Sequence, residues 1–243
     1  MLRDSAGREI NYLRISVTDR CNLRCEYCMP PEGIELKKHG DMLSYERIAE
    51  VAAAAARLGI GKLRLTGGEP LVRRDVGELV RMLKGTDGVA EISMTTNGIL
   101  LTPETASDLK AAGLDRLNIS LDTLDPGEYR RITRCGDVAD VLRGIAAAKA
   151  AGFEGTKINM VVSASDSREQ VERMRSFCAR EGLVLQTINR FSLVKRTNDT
   201  DSLHDFDRPL PCDRCNRLRL TADGYLKPCL FSDIEIKVDF GDI

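Results

Sequence analysis

Residues 21–28 read Cys21-Asn22-Leu23-Arg24-Cys25-Glu26-Tyr27-Cys28, three cysteines at Cx3Cx2C spacing on one short loop. A [4Fe–4S] cluster takes four ligands, usually thiolates. Three thiolates leave one iron without a protein ligand, and an open iron is a place where a small molecule can chelate. The same stretch also admits three unrelated thiols, or a zinc site short of a ligand, since zinc ligands usually come as two separated pairs.

Directly before the loop, residues 11–17 alternate polar and apolar as a strand does. The unit then repeats. An alanine-rich amphipathic helix over 44–58, capped by Ser44, ends at Gly59 and Gly61. A strand over 62–66 stops at Gly67-Gly68-Glu69-Pro70, and Asp75 is positioned to cap a helix to about residue 84. A strand over 91–96 closes at Asn97-Gly98, and Thr102 with Pro103 starts a helix that ends at Gly113. Strands follow at 116–121, 157–162 and near 183–189, with helices over 138–151 and about 167–182. Strands and helices alternating in this way predict an α/β fold, a parallel sheet with helices outside it. In a parallel barrel the C-terminal strand ends carry the ligand site. Here they carry Cys21–Cys28, Gly67–Pro70, Thr95–Gly98 and Ser120–Asp122, which would meet at one rim, with Lys157 on a strand beside them.

The chain's 243 residues, 42% hydrophobic and 30% charged, describe a soluble globular protein. A net charge of −1 gives no global attraction to nucleic acid or membrane. No apolar run has the length of a membrane span, and the N-terminus lacks a signal-peptide core. The expectation is a cytoplasmic protein, in which eight cysteines point to metal or redox chemistry rather than disulfides. Cys135 and Cys178 stand apart and read as structural or incidental thiols.

The remaining cysteines form a second set, Cys212, Cys215 and Cys229, with no fourth Cys or His close by except His204. It reads as a second three-thiolate cluster, with zinc as the alternative. Between these cysteines, Arg217 and Arg219 share a face if the segment is a strand. Lys62 and Arg64 repeat the pattern, and Arg14 and Lys157 lie on other strands. Singly, each cation would sit in solvent or snorkel. Together, on the face opposite Leu63 and Leu65, they describe a polyanion pocket. Gly67 and Gly68 let the backbone approach a ligand closely, and Glu69 offers an acceptor to an ammonium.

Cx3Cx2C after a first strand, Tyr27 before the third cysteine and GGEP (67–70) after the second strand resemble the radical S-adenosylmethionine (SAM) superfamily. SVTDRCNLRCEYCMP (16–30), LRLTGGEPL (63–71), MTTNG (94–98), LNISLD (117–122), KINMV (157–161) and CNRLRLTADG (215–224) are similar to the GTP 3′,8-cyclase family of molybdenum-cofactor biosynthesis. The resemblance implies a partial (β/α)6 parallel barrel of radical SAM type over residues 1–191, a connection over 192–210 and a small C-terminal iron–sulfur module over 211–243. It implies two [4Fe–4S] clusters, one on Cys21, Cys25 and Cys28, the other on Cys212, Cys215 and Cys229. SAM would meet Tyr27, Gly67, Gly68, Glu69 and Ser120, and GTP would meet Arg14, Lys62, Arg64, Thr95, Lys157, Arg217 and Arg219. A 5′-deoxyadenosyl radical would take H3′ of the ribose, and C3′ would attack C8 of guanine. An electron donor such as flavodoxin or ferredoxin is implied, and a homodimer is one assembly compatible with the family. The other reading is a maturase with an auxiliary cluster acting on another nucleotide or a peptide. Against the family pattern, the segment before Cys212 is short and no glycine-rich tail follows Cys229; a shortened form, or a relative with another substrate, would account for both. Gln186 stands where an arginine is expected, and Arg190 or Phe191 follows it according to register.

Overall fold

The computed structural model describes residues 2–5, 7–162, 167–192, 197–198 and 212–241. Six strands pair in chain order, every pair parallel: β1 (Tyr12–Ser16), β2 (Lys62–Thr66), β3 (Glu91–Thr96), β4 (Arg116–Ser120), β5 (Lys157–Val162) and β6 (Val184–Asn189). Connecting them are α1 (Tyr45–Arg57), α2 (Val76–Lys84), α3 (Pro103–Ala111), the pair α4 (Pro126–Thr133) and α5 (Val138–Ala150), and α6 (Arg168–Glu181). The described residues therefore show the six parallel strands of the expected open barrel with the five helical connections between them.

Strand alternation decides which residues are core. Leu13, Ile15, Leu63, Leu65, Ile92 and Met94 point outward under the helices and have no exposed surface. Burying each such side chain contributes about 1.5–3 kcal/mol. α1 meets this layer with Ile48, Val51, Ala52 and Ala55, one face at helical spacing, its alanines letting the helix lie close. α5 comes closer still: a Cβ on Gly144 would stand 2.1 Å from the Gly98 carbonyl.

The caps follow the sequence with one exception. Ser44 accepts from Arg47 N, and Thr102 accepts from Thr105 N ahead of Pro103. Asp75 sits at the start of α2 in a left-handed conformation (φ 56°), and its side chain makes no capping bond. Helix α4 is not among the expected elements, although Asp125 caps it onto Glu128 N with Pro126 in its first turn.

The C-terminal residues extend the same sheet. β7 (Arg217–Leu220) pairs parallel with β1, and β8 (Tyr225–Lys227) and β9 (Ile236–Lys237) follow antiparallel, giving the order β9-β8-β7-β1-β2-β3-β4-β5-β6. The extension is stitched to the start of α1. Leu43 N donates to Ala222 O at 2.8 Å, Lys37 pairs with Asp223 at 2.6 Å, and the Arg47 guanidinium lies 4.6 Å from the Phe240 ring centre. Of the expected connection, Thr197–Asn198 pairs with Phe191–Ser192; its remainder, His204 included, lies outside the described residues. No helix among the described residues is long and apolar enough to cross a membrane.

Candidate active site

The cysteine loop follows β1 and is bonded to the residues that end or follow β2, β3, β4 and β6, with β5 joined to it through Asp122. It continues from β1, where Val17 N donates to Thr66 O at 2.9 Å. From the end of β2, Gly68 N donates to Thr18 O and Glu69 N to Arg20 O, both at 2.8 Å. Past β3, Asn97 Nδ2 donates to Asn22 Oδ1 at 2.7 Å. Past β4, Asp122 accepts from the Tyr27 hydroxyl at 2.8 Å, and its other oxygen accepts from Val161 N in β5 at 2.8 Å. After β6, Arg190 donates to Glu26 at 2.8 Å, so its guanidinium is held at the cysteine loop. The rim expected from the sequence thus assembles around residues 18–27.

At this rim the glycines and Glu69 are also packed against the chain itself. A Cβ on Gly67 (φ 146°) would lie 2.4 Å from Thr18 O, and one on Gly68 2.2 Å from Arg20 O. The glycines admit the chain's own backbone, because the cysteine loop lies directly on them. Glu69 is 1% exposed, and its carboxylate accepts from Leu71 N (3.0 Å), Thr96 Oγ1 (2.7 Å) and Asn97 N (2.7 Å). These three bonds tie the end of β2 to the end of β3. Burial nevertheless holds its carboxyl above the usual range.

Cys21, Cys25 and Cys28 are all partly buried and free of disulfides. Burial raises all three thiols, Cys28 to about 12, and Cys25 and Cys28 are raised further by neighbouring cysteines of the loop and by Asp122. Three crowded thiols that resist ionisation alone suit a cationic iron centre, which deprotonates its thiol ligands. Among the described residues no three Cys, His, Asp or Glu side chains converge where a single ion would sit. Cys135, expected to stand alone, lies 3.5 Å from Asn22 O and within electrostatic reach of Cys21. Cys178 is buried in α6, as a structural thiol should be.

The second set starts in the short 3₁₀ turn Cys212–Arg214, where Cys215 N donates to Cys212 O at 3.2 Å. Burial works against the Cys215 thiolate. The Arg217 backbone and guanidinium, with Arg219, outweigh it and draw the thiol below its ordinary value. Cys215 and Cys229 lie within electrostatic reach of Arg219, and Cys212 within reach of Arg8; thiols flanked by guanidiniums are a donor set that also fits an iron–sulfur cluster.

The cations form a register row. Arg219 lies opposite Arg14, Arg14 opposite Arg64 and Arg64 opposite Ser93, all on the barrel's inner face. Behind them Arg217, Tyr12 and Lys62 form the next row, Lys62 exposed at the strand start. Arg64 Nε donates to Ser93 Oγ at 3.1 Å. Burial and the facing Arg64 hold the Arg14 guanidinium well below its ordinary value, and burial with Arg217 lowers Arg219. Parallel strands stand about 4.8 Å apart, so three guanidiniums cover roughly 10 Å. Such a row is costly without anions and suits a chain of phosphates.

Further round, Thr95 lies opposite Asn118 and Asn118 opposite Lys157. Thr95 Oγ1, Asn118 Nδ2 and Asn159 Oδ1 are buried with no hydrogen-bond partner among the described residues. Buried polar atoms are normally satisfied, and exceptions facing a site call for a ligand. Ser120 ends β4 on this face, while Gln186 lies opposite Asn159, which settles the register of β6. Asn118 and Asn159 are not among the expected site residues, and Asp122 and Glu26, though within the expected rim segments, carried no expected role. Strand alternation through LNISLD and KINMV was the signal that carries the first two to the inner face.

Residues 15–178 match the family model described as the Radical SAM superfamily. The chain is 42% identical to the GTP 3′,8-cyclase of Peptoclostridium acidaminophilum, covering 97% of this chain and 85% of that one. It is equally identical to that of Moorella thermoacetica, covering 98% and 86%. The first alignment runs over 277 positions, more than the 243 residues here, so that relative carries extra residues within the aligned span. Among solved structures, Streptococcus suis SuiB bound to precursor peptide SuiA aligns with a TM-score of 0.70 at 17% identity, over 92% of this chain and 60% of that one. Native anSMEcpe with bound AdoMet and Cp18Cys peptide aligns at 0.65 with 18% identity, over 93% and 75%. These structural likenesses speak for the fold. A match across the barrel, with relatives this similar over almost the whole length, places the chain in the radical SAM superfamily and, within it, in the GTP 3′,8-cyclase family.

Proposed function

We propose that this chain cyclises GTP to (8S)-3′,8-cyclo-7,8-dihydroguanosine 5′-triphosphate, the first step of molybdopterin biosynthesis. The observation that carries the reading is the row Arg219–Arg14–Arg64, which runs from the second cysteine set into the barrel under the first. Bound to the two thiol sets and the rim, two [4Fe–4S] clusters and SAM supply one-electron chemistry at the nucleotide's ribose.

Cys21, Cys25 and Cys28 hold the first cluster; Cys212, Cys215 and Cys229 hold the second. Tyr27, Gly68 and Ser120 bind SAM, with Asp122 fixing the Tyr27 ring through its hydroxyl. Arg14, Arg64, Arg217 and Arg219 take the triphosphate, with Lys62 at the strand start. Thr95 and Lys157 complete the nucleotide site. The guanidinium row fixes the triphosphate and so sets how far the ribose stands from the rim, and the buried barrel face keeps water from the reacting carbon. The division of labour runs by segment, with 1–191 as the radical module and 211–243 as the auxiliary one, in a cytoplasmic protein served by a flavodoxin- or ferredoxin-type donor. A phosphate-free peptide would leave the arginine row without anions, so the nucleotide is the favoured substrate.

The test uses anaerobically reconstituted, reduced protein with SAM, with and without GTP, followed by mass spectrometry. The expected result is GTP-dependent 5′-deoxyadenosine with a product isobaric with GTP. SAM cleavage that ignores GTP refutes the substrate assignment.

A further inference from the structure

We propose that Arg134 is the positioning residue of the Cys25–Cys28 segment; this rests on the reading that the first cysteine set carries a cluster. One guanidinium nitrogen, Nη1, donates to Arg24 O at 2.7 Å and to Met29 O at 2.9 Å. These carbonyls belong to the residues immediately before Cys25 and immediately after Cys28. A single donor therefore brackets the Cys25–Cys28 pair and sets the span between its ends.

The bracket has a built foundation. Helix α4 ends at Thr133, and a helix end leaves its last carbonyls without partners. Here the cysteine loop takes them: Glu26 N donates to Ile132 O at 3.0 Å and Arg24 N to Thr133 O at 3.1 Å. Arg131, in the last turn of α4, also pairs with Glu26 at 3.0 Å. Arg134 then leaves the helix with φ 66°, a conformation that costs a residue with a Cβ roughly 1–2 kcal/mol. Turning there sends its side chain back over the loop. The following turn is packed too closely for a side chain, since a Cβ on Gly136 would stand 2.8 Å from the Tyr129 ring and 2.9 Å from Leu23. Cys21 has its own brace: Arg24 Nη1 donates to Cys21 O at 2.8 Å and to Leu23 O at 2.9 Å. Each part of the loop thus has an arginine holding its carbonyls, and Arg134 does so from outside the loop's own sequence.

The experiment compares the wild type, Arg134→Met, Arg134→Lys and Cys25→Ala. In cluster-free protein, thiol alkylation is timed cysteine by cysteine by mass spectrometry, with Cys212 and Cys229 as internal references. Losing the bracket is expected to speed labelling of Cys25 and Cys28 roughly three- to tenfold in Arg134→Met, the opening expected from losing about one hydrogen bond. Cys212 and Cys229 are expected to hold their rates. After reconstitution and reduction, the electron paramagnetic resonance signal that responds to SAM is expected to fall in Arg134→Met while the SAM-insensitive signal persists. Arg134→Lys, which keeps the charge on a different donor geometry, is expected to recover part of both readouts. Unchanged labelling at Cys25 and Cys28 overturns the proposal. So does equal acceleration at Cys212 and Cys229, which reports general loosening. If Arg134→Met does not fold, Arg134→Lys alone decides it: roughly threefold faster labelling confined to Cys25 and Cys28 supports the bracket, and wild-type rates overturn it. Separately, a Cys25→Ala protein that retains the SAM-responsive signal overturns the underlying cluster assignment.

Discussion

Gly68→Ala tests whether the glycine pair exists for the cysteine loop. The added Cβ would sit 2.2 Å from Arg20 O and 2.5 Å from its carbon, against an ordinary contact of 3.4 Å or more. Both colliding atoms are backbone, so the Arg20 peptide must retreat by about 1 Å. That carbonyl accepts from Glu69 N at 2.8 Å, and the neighbouring Thr18 O accepts from Gly68 N at 2.8 Å. A retreat of this size stretches the first bond beyond useful length and strains the second. Overpacking costs about 1–3 kcal/mol and each lost bond about 1 kcal/mol, so the substitution is worth roughly 3 kcal/mol. For a chain of this length that lowers Tm by roughly 6–12 °C. Because Arg20 directly precedes Cys21, the same movement displaces the first cysteine set. Reconstituted Gly68→Ala protein is expected to hold about half the wild-type iron, keep the second cluster and lose SAM cleavage. The assays are calorimetry on cluster-free protein, iron per chain and 5′-deoxyadenosine yield. Full iron loading with Tm within about 2 °C of wild type would refute the backbone-on-backbone reading.

Arg14→Met removes the middle guanidinium of the row and keeps most of its volume. Nucleotide-free protein is expected to gain roughly 1 kcal/mol, a Tm rise of about 2–4 °C, while GTP binding weakens by about tenfold or more; a destabilised nucleotide-free protein would show that the row is not under like-charge strain. Cys25→Ala is expected to abolish SAM cleavage and Cys212→Ala to keep it, so cleavage by both mutants would contradict the separation of the two thiol sets. Gly144→Ala, whose Cβ would meet Gly98 O at 2.1 Å, is expected to lower Tm by roughly 4–10 °C without changing the ratio of iron between the two sites. A drop below about 2 °C would mean α5 has room to shift.

The six-strand alternation, the caps at Ser44 and Thr102, and both cysteine sets were legible in the chain because each rests on local chemistry. Alternation sorts Leu63 and Leu65 from Lys62 and Arg64 within one strand, and a cap or a Cx2C spacing is complete within a few residues. Helix α4 was equally local, with Asp125, Pro126 and Glu128 as its start, yet it lay between two stronger periodic segments. What the sequence could not carry were pairings between distant residues. Nothing local says that Arg219, Arg14 and Arg64 stand side by side; the parallel register of β7, β1 and β2 decides it. Nothing local says which backbone lies against Gly67 and Gly68; the folded chain brings Thr18 and Arg20 there. Glu69 is an acceptor in the sequence, and the ends of β2 and β3 bring three donors to it. Cys135 and Arg134 look incidental until the turn after α4 sets them against the cysteine loop. Residue types and their spacing thus determined the fold class and the chemistry available, while long-range strand register and backbone approach decided which of those groups meet, because contact depends on positions that only the packed chain sets.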